Sequence, residues 1–133
     1  MVSEQTDNLA PALIVASPGR IRDSLTTMLR AVPCIRTIYL ANDGPSASKI
    51  IADYRPALVL LDSKLANNDI QSVSRQIKAT SPQTRCVMLV DNVHQQWMAK
   101  IADADTALTI GCPATKFFTT IEGLLAQSTT QPI

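Results

Sequence analysis

The chain has little net charge, little glycine, a single histidine and three widely spaced cysteines. Its formal charge is +1, and its twelve lysines and arginines are scattered, so no clustered basic field exists to hold nucleic acid or an anionic membrane. Direct nucleic-acid binding by this domain is therefore not expected. Four glycines cannot build a G-x-G-x-x-G or Walker phosphate cradle, and Gly19 and Gly44 stand alone. Cys34, Cys86 and Cys112 show neither C-x-x-C spacing nor the density of a secreted disulfide scaffold, so all three read as reduced packing residues. Nothing basic near Cys112 would activate its thiol. His94 has no second ligand at metal-binding spacing and no visible triad, which excludes zinc and nucleophilic chemistry built on it. No stretch approaches the ~18 apolar residues of a membrane span, and MVSEQTDN is not a signal sequence. A cytoplasmic protein with no membrane association is expected.

What is present is the balance of a compact domain: 133 residues, 46% hydrophobic and 17% charged. Residues 1–10 read as a flexible leader, 11–127 as one domain and 128–133 as a tail. Within the domain, short apolar runs alternate with helical spacing. ALIVA (12–16) precedes a helix with Ile21, Leu25, Met28, Leu29 and Val32 on one face, with Ser17 as its N-cap and Pro18 in its first position. IRTIYLA is a second strand, NDGP a turn, and Ala47, Ile50, Ile51 and Tyr54 mark a second helix. ALVLL is a third strand; Ile70, Val73 and Ile77 mark a third helix that Ser81-Pro82 ends. RCVMLV, a fourth helix through Val93, Trp97 and Ile101, the strand ALTI, and a fifth helix through Phe117, Phe118, Ile121, Leu124 and Leu125 complete five βα units.

Strands apolar on both faces, alternating with amphipathic helices, belong in a parallel sheet covered on both sides and joined by right-handed crossovers. The fold class is α/β, a flavodoxin-like (βα)5 doubly wound sheet. In such sheets the functional crevice lies beyond the carboxyl ends of the strands, where strand order reverses. Asp62 stands there, directly after the buried run of ALVLL. A carboxylate in that place caps a turn, binds a cation or does chemistry.

Over about residues 11–126 the order of units resembles the receiver domain of bacterial two-component response regulators. The likeness rests on ALIVASPGRIRDSLTTML, on PALVLLDSKLANND with its second acid at Asp69, on SPQTRCVMLVD, and on ADADTALTIGCPATKFFTTIEGLL. The resemblance implies strand order 2-1-3-4-5, no enzymatic activity of its own, and Asp62 as the phospho-acceptor position. It further implies dimerisation or partner docking through helix four, strand five and helix five, a role in transcription regulation, and a C-terminal DNA-binding domain if the chain is part of a longer regulator. Trp97 packs in the core or anchors a partner on that surface.

The family's pocket is otherwise replaced. Ala16 and Ser17 stand where an acidic pair helps hold magnesium, Val90 where a Thr or Ser bonds the phosphoryl oxygen, and Ile110 where a Lys pairs with the acyl phosphate. Ala66, Ile70 and Ala107 also depart from the pattern, and Asp91, next to Val90, reads as a helix-terminal cap. Phosphoryl transfer depends on positioning and charge neutralisation. A degenerate receiver is therefore expected, binding protein without a phosphorylation switch and with magnesium binding weak or absent. Two alternatives stand beside it: a receiver still phosphorylated on Asp62, and a flavodoxin-like protein holding a small ligand between Ser17 and Asp62.

Overall fold

The computed structural model of the chain describes residues 10–91 and 104–129. In chain order they form β1 (Ala10–Val15), α1 (Arg20–Arg30), β2 (Ile35–Ala41), α2 (Gly44–Tyr54), β3 (Leu58–Asp62), α3 (Asn67–Thr80), β4 (Arg85–Val90), β5 (Thr106–Thr109) and α4 (Ala114–Thr129). The expected fourth helix, with His94 and Trp97, lies outside the described residues; α4 is the helix expected as the fifth. No described helix is long and apolar enough to cross a membrane.

The five strands are parallel and ordered β2-β1-β3-β4-β5, as the alternation of strand and helix requires. The pleat sends alternate residues to opposite faces. Ala12, Ile14, Leu58, Leu60, Val87 and Leu89 pack with Leu25 and Leu29 of α1 and with Phe117, Ile121 and Leu125 of α4. On the other face Leu13, Val15, Val59, Leu61, Met88 and Val90 meet Ala47 and Ile51 of α2 and Ile70, Val73 and Ile77 of α3. The central strand β3 is buried along its whole length. That double burial is why its sequence lacks polar alternation.

Local chemistry sets the helix limits. Asp43 is extended and accepts from the Ser46 amide at 2.9 Å, starting α2, with Pro45 in the first turn. That hydrogen bond holds the exposed Asp43 carboxyl below its usual range. The helix stops at Arg55, whose left-handed φ of 46° precedes Pro56. Ser81, before Pro82, closes α3.

Two expectations are corrected. Ser17 does not cap α1: Gly19 occupies the N-cap with φ 154° and ψ −168°, the helix begins at Arg20, and Pro18 lies outside it. Extended glycine backbone after Pro18 delays the first helical residue and leaves the Ser17 hydroxyl too early in the chain to reach the first-turn amides. Tyr54 does not join the core face of α2; it is 53% exposed and stacks on Tyr39 of β2 with ring centroids 4.5 Å apart.

Candidate functional site at the carboxyl ends of the strands

Because β1, β3, β4 and β5 are consecutive neighbours in the sheet, their ends bring Ala16, Asp62, Val90 and Ile110 to one edge of the molecule. Ala16 is buried, and its amide donates to the Ala41 carbonyl at 3.0 Å, extending the β1–β2 ladder by one bond. Ser17 follows and is exposed. Val90 is buried, and its carbonyl accepts from the Ile110 amide at 2.8 Å. Ile110 packs half-buried against the core layer of α1 and α4. Ala16, Ser17, Val90 and Ile110 carry no charge, and the buried Ala16 and Val90 belong to the hydrophobic layers.

Asp62 is the last residue of β3, registered against Leu89, and only 7% exposed. Its Oδ1 accepts from the Lys64 amide at 3.0 Å, and its carbonyl accepts from the Leu65 amide at 3.2 Å. The Ser63 amide donates to the Leu89 carbonyl at 3.0 Å. Together these bonds make an Asx-type turn, in which a short carboxylate stands in for a backbone acceptor and ends the strand. The carboxylate at the end of the apolar run therefore has a structural partner close by in the sequence.

Lys64 is the residue that sequence reasoning missed. Its ammonium pairs with Asp91 Oδ2 at 3.3 Å, both side chains being largely exposed, and this joins the β3–α3 turn to the end of β4. The two residues lie far apart in sequence and carry no recognisable spacing. Asp69, the second acid of the family-like stretch, stands elsewhere, against the start of α2: a Cβ built on Gly44 would lie 2.9 Å from Asp69 Oδ1. A further unforeseen contact is made by Asp105, whose carboxylate accepts from the Cys86 amide at 2.7 Å and faces Arg85 at 3.6 Å.

A magnesium ion requires near-octahedral oxygen ligation. The strand ends bring the Asp62 carboxylate, already accepting a backbone hydrogen bond, and Asp91, paired with Lys64, beside an alanine that follows β1 and the apolar Val90 and Ile110. Among the described residues no group of three His, Cys, Asp or Glu side chains gathers to hold a metal ion.

No protein-family model and no curated protein matches the chain by sequence. Solved structures do match it by shape. The signal receiver domain of an HD domain-containing protein from Pseudomonas fluorescens superposes with a TM-score of 0.79 at 19% identity, over 92% of this chain and 91% of that one. The receiver domain of a sensor histidine kinase from Pseudomonas aeruginosa, which has a magnesium ion coordinated in its active-site cleft, gives 0.77 at 20% identity, over 89% and 98%. NtrX from Brucella abortus gives 0.76 at 25% identity over 90% of this chain, which spans 28% of that protein. The chain has the fold of response-regulator receiver domains, with their strand order.

Proposed function

We propose that this domain is a signalling module that keeps the receiver fold and acts by binding protein, without using phosphorylation of Asp62 as its switch. The observation that carries this reading is the set of uncharged residues at the strand ends: Ala16, Ser17, Val90 and Ile110 stand there, the Asp62 carboxylate is engaged by the Lys64 amide, and the Lys64 ammonium is paired with Asp91. Transfer of a phosphoryl group requires its charge to be neutralised and its oxygens held in place. None of these four positions supplies a cation, and the Ser17 hydroxyl is their one side-chain hydrogen-bond donor. The module would self-associate or dock through β5, α4 and the segment between β4 and β5, and thereby govern a partner or an attached output domain.

The test is to add magnesium and beryllofluoride to the labelled protein and record amide shifts. Unchanged spectra around Ser63, Lys64 and Asp91 are expected. Saturable shifts there that vanish in Asp62→Ala would overturn the reading in favour of a phosphorylatable receiver, which the retention of a carboxylate at the end of β3 favours as the second possibility. Light scattering on the same sample reports self-association.

A further inference from the structure

On the face of the sheet covered by α1 and α4, a cleft of about 290 Å³ opens between the amino-terminal half of α1 and the connection from β5 to α4. Leu89 and Leu108 lie along it from the strands, Phe117 from α4 and Met28 from α1, and its lining is overwhelmingly apolar. Packed interiors hold few voids larger than a water molecule. An apolar cavity of about 150 Å³ admits benzene, so this one has room for two fused rings or a chain of about eight carbons.

The polar part of the lining has one sign. Arg20 and Ser24 line the cleft from α1, no carboxylate does, and Arg20 makes no ion pair among the described residues. The Arg20 charge favours an anion, and the Leu, Phe and Met lining favours an apolar body. We infer that the cleft between α1 and the β5–α4 connection binds a small amphipathic monoanion, its two-ring-sized apolar body against Leu89, Leu108 and Phe117 and its carboxylate at Arg20. The cleft shares Ile110 with the strand-end positions but does not include Asp62, and the inference holds whether or not Asp62 accepts a phosphoryl group.

The probe is 1-naphthoate, added to the labelled protein with amide shifts and calorimetry as readouts. Saturable binding with shifts at Leu25, Leu108 and Gly111 is expected. Arg20→Gln, or replacing the acid by 1-naphthalenemethanol, should weaken it about two- to fivefold, the range for an exposed charge pair. Ser24→Trp, a change at an exposed position of α1, should block binding while leaving the rest of the spectrum in place. In the unmutated protein, bound 1-naphthoate should slow alkylation of Cys112, which also lines the cleft. Shifts that do not saturate, or saturable shifts confined to other elements, would overturn the site. So would Cys112 alkylation that the probe leaves unchanged. Equal affinity for acid and alcohol would overturn the anion assignment.

Discussion

The Lys64 amide donates to Asp62 Oδ1 at 3.0 Å while the Lys64 ammonium pairs with Asp91 Oδ2 at 3.3 Å. One residue thus supplies the hydrogen bond that occupies the strand-end carboxylate and sends its charge to a different acid. Asp62 is nearly buried, so what it contributes to stability depends on the oxygen it offers as an acceptor. Asp62→Asn keeps that acceptor and removes a buried charge; its stability in urea should match the parent or exceed it by about 0.5 kcal/mol. Asp62→Ala leaves the Lys64 amide without its partner and should cost about 1–2 kcal/mol. Equal losses for both variants would mean that the charge, rather than the turn, is what the fold uses.

The Cys86 thiol gives a pH signature. Burial, and next the negative charge of Asp105, push it up to about 12 from an ordinary 9.0. Above pH 9 the unfolded chain loses this proton while the folded chain keeps it, so the unfolded state binds fewer protons and stability falls as pH rises. Stability from this group is fully present below pH 9 and lost towards pH 12, with a slope approaching about 1.4 kcal/mol per pH unit. Subtracting the alkaline stability curve of Cys86→Ala from that of the parent isolates this slope from other groups. Thiol alkylation at neutral pH should reach the half-buried Cys34 and Cys112 well before Cys86.

Much of the fold was legible because its signals are short-range. RCVMLV coincides with β4, and Ile70, Val73 and Ile77 are the buried stripe of α3, since burial on a fixed face imposes its own period on the sequence. Ser17-Pro18 misled for the same local reason: the cap signature is intact, but Gly19 adopts a φ that composition does not reveal. Tyr54 fits the helical period, yet the edge position of β2 gave it Tyr39 as a surface partner. The candidate site was legible as a list of positions at strand ends. Its actual bonding, Lys64 to Asp62 and Asp91, was not, and neither was the cleft beside α1, because residues from four separate elements meet there only once the sheet is formed.

At the opposite edge of the sheet, Thr84 ties two turns together. Its Oγ1 donates to the Pro56 carbonyl ahead of β3 and lies 2.6 Å from the Ser81 hydroxyl, with both Ser81 and Thr84 buried. Thr84→Val preserves shape but strands the Pro56 carbonyl and the Ser81 hydroxyl, for an expected loss of about 1–3 kcal/mol. Ser81→Ala removes one of those orphaned groups. In the double variant the cost should therefore be less than the sum of the two single costs, measurable as a coupling energy in a denaturation cycle.

Gly44 and Gly123 both lie in helices, where alanine is intrinsically favoured by about 1 kcal/mol, and they should respond with opposite signs. At Gly44 a Cβ would stand 2.9 Å from Asp69 Oδ1 and 3.0 Å from the Asp69 Cα. The side-chain oxygen could rotate away, but the Cα belongs to the first turn of α3, so the two helices would have to part. Gly44→Ala should cost about 1–3 kcal/mol, the overpacking penalty outweighing propensity. At Gly123 nothing lies within 4 Å of the added carbon, so Gly123→Ala should stabilise by about 0.5–1 kcal/mol. Thermal unfolding of the two variants decides the matter: a stabilising Gly44→Ala would mean that α2 and α3 can separate freely at their amino ends, and that Asp69 is not what requires a glycine there.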